Sequence, residues 1–154
     1  MANFRIFVEK NSSFNSEAKH LLSLIQQNLQ LKLTSLRVIN CYDIFNIEAK
    51  QLEQVQYIVF AEPNLDQIIT HLNLTNQCYL AVEPLAGQYD QRADSAEQAL
   101  KLLGVNNLDL KVTSGKLIIF DEELTTQQLD LIKQLYINPL EMSEKDLSQL
   151  IYSQ

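Results

Sequence analysis

Apolar residues fall into two rhythms along this chain, one of period two and one of period three to four, and the rhythms alternate. Phe4, Ile6 and Val8 take every second place and predict a strand with one buried face. After a loop at Asn11–Ser13, the run Ala18, Leu21, Leu22, Ile25, Leu29 marks one stripe of a helix capped near Asn15 or Ser16. Ser35 to Phe45 is rich in β-branched and aromatic residues and predicts a strand. Asn46 is expected to cap a short helix, Glu48 to Val55, with Leu52 and Val55 inward. Tyr57-Ile58-Val59-Phe60 is expected as a buried strand, ended by Glu62-Pro63-Asn64. Leu65, Ile68, Ile69 and Leu72 then form a short amphipathic segment, with His71 on a helical turn, before a polar link at Asn73 to Gln77.

The order then repeats. Cys78 to Val82 is a strand, and Ala93, Ala96, Leu100 and Leu103 give a helix that Gly104 stops at the C′ position. Leu108 to Phe120 is strand-like with a break or bend at Ser114-Gly115, either a hairpin or one kinked strand. Thr125 to Gln128 spells a capping box, with Leu124 stapling onto Leu129, for a helix carrying Leu129, Ile132 and Tyr136 inward. Val8-Glu9 matches Val82-Glu83, Phe14-Asn15 matches Tyr89-Asp90, Phe45 matches Phe120 and Pro63 matches Pro139. These pairs lie 74, 75, 75 and 76 positions apart by subtraction of their numbers. So steady a spacing predicts an internal duplication. The expected organisation is a first half at 1–76, a second at 77–141, and a tail or linker at 142–154, all in one unit. The class is α+β, as two ferredoxin-like-type halves with an antiparallel sheet and helices on one side.

Composition removes several function classes. The formal net charge of -7, with Lys and Arg scattered, disfavours nucleic acid. No apolar run is long enough to span a membrane, and the charged start does not read as a signal peptide, so a cytoplasmic protein is expected. Cys41 and Cys78 have no CxxC spacing and are expected free, buried and reduced. With only 3 glycines there is no phosphate-cradling loop. Cys41, Cys78, His20 and His71 stand in unrelated contexts, so no metal site and no catalytic residue is expected. Glu9 and Glu83, at duplicated strand ends, read as structural. Glu122-Glu123 precede a helix start, where the dipole favours carboxylates.

One junction is richer than its local task demands. Between Gln88 and Ser95 lie two amides, two carboxylates, a guanidinium and a phenol: Gln88, Tyr89, Asp90, Gln91, Arg92, Asp94 and Ser95. Asp90 or Asp94 can cap the helix. The remainder reads either as an Arg92–Asp salt bridge or as a recognition surface for a protein part or small polar molecule.

The segment Glu83 to Ala96 resembles part of the N-terminal domain of single-chain phosphoribosylformylglycinamidine synthase, of the large clostridial and related bacterial type. Phe4 to Lys10, Tyr57 to Pro63, Val112 to Lys116 and Ile137-Asn138-Pro139-Leu140-Glu141 agree in order. The resemblance implies a fused pair of the small subunit of multi-subunit versions. It implies a non-catalytic assembly domain bridging the synthase and glutaminase domains of one polypeptide, in purine biosynthesis. ATP and Mg would belong to the parent ligase, with no cofactor in this domain and no membrane or nucleic-acid partner. Gln88 and Gln91 would help ammonia pass. The alternative is a stand-alone regulatory module that binds a small molecule; an autonomous small enzyme is a third reading without a nucleophile–base pair to support it.

Overall fold

The structure, a computed structural model, describes residues 1–11 and 15–150. Among these residues two βαβαβ runs follow one another. The first is β1 (Ala2–Lys10), α1 (Ser16–Leu29), β2 (Leu36–Ile47), α2 (Ala49–Val59) and β3 (Asp66–Ile69). The second is β4 (Cys78–Pro84), α3 (Gln91–Leu102), β5 (Lys111–Phe120), α4 (Thr126–Tyr136) and β6 (Met142–Glu144). All six strands join one antiparallel sheet in the order β3-β1-β2-β5-β4-β6. Read from either edge, that order gives the same series of equivalents, so the halves are related by a pseudo-two-fold axis between β2 and β5. The α+β class with helices on one face is as expected.

Burial refines the correspondence between the two runs. Val8 and Val82 face the helix layer 74 positions apart, and the N-caps Asn15 and Asp90 are 75 apart. Ile44 and Phe120 both face the helices and differ by 76, whereas Phe45 takes the opposite pleat from Ile44. Phe120 is therefore the mate of Ile44 rather than of Phe45, because a strand exchanges faces at every residue. Phe14 and the loop residues Ser12 and Ser13 lie outside the described residues.

Two apolar clusters lie under the helices, and each draws on both halves. One joins Ile6, Val8, Tyr42 and Ile44 to Leu52 and Val55 of α2 and to Ala93, Ala96, Leu100 and Val112 of the second half. The other joins α1 and the start of β2 to Leu80, Val82, Ile118, Phe120 and Ile132. Neither half can close its core alone. Between the clusters the axis is polar: Asn40 pairs with Lys116 across β2 and β5, and Lys116 forms an ion pair with Glu17.

The opposite face of the sheet carries Phe7, Ile39, Cys41, Ala81, Leu117 and Ile119. No helix covers it. Residues 70–77 run from β3 to β4, four strand intervals away, which is about 19 Å at the usual spacing. Eight extended residues reach about 26 Å, and Leu72 and Leu74 pack down on this face along the way. Ile69 and, beyond β6, Leu147 also pack on it.

Several expectations are corrected. Tyr57 to Phe60 is not a strand: α2 runs through to Val59, and Tyr57 and Ile58 are 59% and 67% exposed. Leu52, Val55 and Val59 continue one helical stripe onto the core, and that packing outweighs the strand preference of a short β-branched run. The cap is Glu48 with Gln51, not Asn46, which instead takes a left-handed turn with φ 65. The segment around Ile68 and Ile69 is strand β3, so His71 follows a strand rather than sitting on a helical turn. β5 is one continuous strand through Ser114-Gly115. Cys41 is buried as expected, whereas Cys78 is only partly so. Met142 onward is no plain tail: β6 adds to the sheet edge at Val82 to Pro84, and Lys145 N–H donates to Ala81 O at 2.8 Å. Residues 151–154 of that expected tail lie outside the described residues.

Candidate functional site

The polar junction forms the entry to α3, on the helix side of the second half. Pro84 ends β4, Gly87 turns the chain with φ 87, and Asp90 caps the helix by accepting from Ala93 N–H at 3.1 Å. The same carboxylate accepts from Ser114 N–H at 2.9 Å and Ser114 Oγ at 2.7 Å. Asp90 thus fastens α3 to the middle of β5. Asn15, its mate, caps α1 and donates to Val38 O, the position equivalent to Ser114. Both N-caps are anchors of the fold, so Asp90 is spoken for.

The other junction residues point outward. Tyr89 donates to Asp94 Oδ2 at 2.9 Å, which raises the phenol above its ordinary pKa, and Gln98 donates to the same oxygen. Gln88 reaches Leu140 O at 3.4 Å. Of the two alternatives, the salt bridge is not formed among the described residues: Arg92 pairs with neither Asp90 nor Asp94. Among the described residues the side chains of Gln91, Arg92 and Ser95 have no hydrogen-bond or ion-pair partner. α3 also splits the group. Gln91, Arg92 and Ser95 line a recess of about 420 Å³ with Tyr42, Val59 and Ala96. Gln88, Tyr89, Asp90 and Asp94 border a larger cleft of about 610 Å³ with Glu83, Lys111, Thr113, Lys145, Asp146 and Gln149.

Arg92 occupies the second position of α3, where the helix dipole disfavours a cation. The repeated order of elements supplies a comparison. The equivalent place in α1, 75 positions earlier, holds Glu17, whose sign suits the dipole and which is paired to Lys116. One half obeys the rule at this position; the other breaks it, with Arg92 paired to neither of the carboxylates, Asp90 and Asp94, that flank it at the helix start. Near the axis Asn40 Oδ1 is buried and without a partner.

A charged cluster that sequence reasoning did not single out lies on the opposite face. Asp43, 2% exposed, receives Arg5 through Nε at 2.6 Å and Nη2 at 3.0 Å, and Lys145 Nζ at 2.9 Å. Lys145 also reaches Glu83 Oε2 at 3.1 Å. The Asp43 hydrogen bond raises Arg5 further above its ordinary pKa. Burial alone would lower Lys145, but its bonds to Asp43 and Glu83 outweigh that and raise it. Cys41, next to Asp43, is pushed up to about 12 by burial and then by the neighbouring carboxylate. The available signal was a charge interrupting an apolar strand, Asp43 in β2 and Arg5 in β1. Glu9, the mate of Glu83, is held by Arg37 at 2.7 and 2.9 Å, which supports the structural reading of both carboxylates.

His20 and His71 are exposed and far apart in the fold's order. Among the described residues no group of three or more His, Cys, Asp or Glu is placed to hold a metal ion, and no helix is long and apolar enough to cross a membrane. No protein-family model matches the chain, and no curated protein matches it.

Proposed function

We propose that this chain is a non-catalytic assembly domain of a phosphoribosylformylglycinamidine synthase, and that the first turn of α3 is where the synthase and glutaminase parts dock. The observation that carries the reading is Arg92: exposed, unpartnered, and placed against the dipole of its own helix. Residues that break a local rule without a local gain are expected where a protein meets something else. The sheet order, palindromic about β2 and β5, suits two fused small subunits. ATP, Mg and the reacting amide belong to the parent ligase. Gln91 and Gln88 flank the docking turn as neutral amides, able to hydrogen-bond ammonia without protonating it.

The test uses the parent enzyme with either glutamine or free ammonia as nitrogen source. Arg92→Gln and Gln91→Leu are expected to lower glutamine-dependent product formation tenfold or more, on the order of 1.4 kcal/mol, while ammonia-dependent formation persists. Equal loss of both, or loss of neither, overturns the reading. A second reading, a stand-alone regulatory module, has in its favour the cleft of about 610 Å³ lined by charges of both signs. Saturable thermal stabilisation of the isolated chain by one amino acid or nucleotide would select it.

A further inference from the structure

Beyond β6, residues 145–149 turn back over the face of the sheet opposite the helices. Lys145 lays its stem across β5, its Cδ 3.1 Å from where a Cβ on Gly115 would stand, and sets its ammonium between Asp43 of β2 and Glu83 of β4. Leu147 then packs on the cluster that contains Cys41. Arg5 of β1 closes the crossing by donating to Leu147 O and to Gln149 O, both at 2.6 Å. In the pseudo-symmetry this segment is the mate of residues 70–77, which cross the same face in the other direction. The mate is tied down at both ends by strands; residues 145–149 are held by their continuity with β6, by Lys145 N–H on Ala81 O, and by the side chains of Arg5, Lys145 and Leu147.

We propose that residues 145–149 are a strap that opens as a unit while the sheet and helices stay folded, uncovering Cys41 and removing one wall of the cleft beside α3. Among the described residues, the strap's own backbone contributes no helix or ladder beyond Lys145, and its remaining hold is Leu147, the two Arg5 bonds and one ammonium. Segments with so few buried contacts open below the free energy of global unfolding. Lys145, Asp146 and Gln149 belong to both the strap and the cleft, so the cleft is complete only with the strap shut.

Cys41 is the reporter. In a Cys78→Ser background it is the only thiol, and it is fully buried in the cluster on which Leu147 packs. Its labelling rate by a thiol reagent is measured against urea from zero to below the unfolding transition, beside amide exchange of β2 and β5. A local opening gives a labelling rate nearly flat in urea, because little surface is exposed. Leu147→Ala, which alters only the strap's apolar contact, is expected to speed labelling roughly tenfold, and Arg5→Ala roughly ten- to a hundredfold, with β2 and β5 exchange unchanged in Leu147→Ala. Arg5→Ala also strips Asp43 of a partner, so Leu147→Ala is the deciding variant. The proposal falls if labelling follows the urea slope of global unfolding. It also falls if Leu147→Ala leaves the rate unchanged, or if Leu72→Ala alone speeds it, since the entry would then lie under residues 70–77.

Discussion

Gly115→Ala sets two opposed effects against each other with a decidable sign. Gly115 sits in the middle of β5 with ordinary strand backbone, so alanine meets no torsional objection there. On backbone grounds alone the substitution would stabilise by about 0.4–1 kcal/mol, through a less flexible unfolded chain. The structure opposes this. A Cβ at 115 would stand 2.7 Å from the carbonyl oxygen of Val82 and 3.1 Å from Cδ of Lys145. The first neighbour is backbone of the adjacent strand and cannot swing away; the second is the stem of a lysine held by two carboxylates. Overpacking of this kind costs about 1–3 kcal/mol, so the net expectation is a loss of roughly 1–2 kcal/mol. Urea unfolding should show a lower midpoint at unchanged slope. Amide exchange should quicken in β4 and β6 more than in β1 and β3, since only β4, β6 and the strap must shift. An unchanged or higher midpoint would refute the reasoning, because the sheet would then have absorbed the methyl group without disturbing Lys145.

Asp90→Ala removes a cap and leaves the buried Ser114 N–H without its acceptor; a loss of about 2–4 kcal/mol is expected, with Asp90→Asn recovering the cap's share, read by chemical denaturation. At alkaline pH the buried Cys41 keeps its proton to about 12, against 9.0 for an ordinary thiol. Between those values the unfolded chain binds fewer protons than the folded one, so stability falls as pH rises, by about 3 kcal/mol at pH 11. Tyr136, also raised to about 12 by burial and by Glu17, adds to the fall above its ordinary value of 10.0. Cys41→Ala should flatten the fall seen in urea titrations between pH 9 and 11, and an unaltered slope would show that the thiol is not what titrates.

Much of the fold was legible because hydrophobic period and capping chemistry agreed. Asn15, Asp90, Gly104 and the Thr125–Gln128 box each sit where the pattern put them. The failures share a cause. Tyr57 to Phe60 is β-branched and aromatic enough for a strand, and only the continued contact of Val59 with the core makes it helix. Ser114-Gly115 looks like a break or bend because its justification lies elsewhere in the chain, in Asp90 for the serine and in Val82 O and Lys145 for the glycine. Polar residues at 145–149 resemble a tail because the groups that retain them, Arg5 and Asp43, are more than a hundred positions away. Local pattern reports periodicity, not long-range partners. At the candidate site the same limit applied: the density of polar groups at Gln88 to Ser95 was visible, but not that Asp90 would be consumed by β5 while Arg92 stayed free.

The repeated βαβαβ order turns Arg92 into a controlled comparison. Two helices of common layout begin at equivalent places, and at the second position one carries Glu17 and the other Arg92. If the domain were shaped for its own stability alone, the guanidinium would be the weaker choice, since a cation near a helix start costs about 0.3–1 kcal/mol and no ion pair offsets it. Arg92→Gln keeps helix propensity nearly level and removes the charge. The isolated chain should therefore gain about 0.3–1 kcal/mol, seen as a higher urea midpoint that shrinks as salt is added. The parent enzyme should lose glutamine-dependent activity in the same variant. A gain in stability joined to a loss in coupled activity is the mark of a residue kept for contact beyond the domain. A destabilised isolated chain would mean that Arg92 serves its own fold, and the docking surface would have to be sought elsewhere.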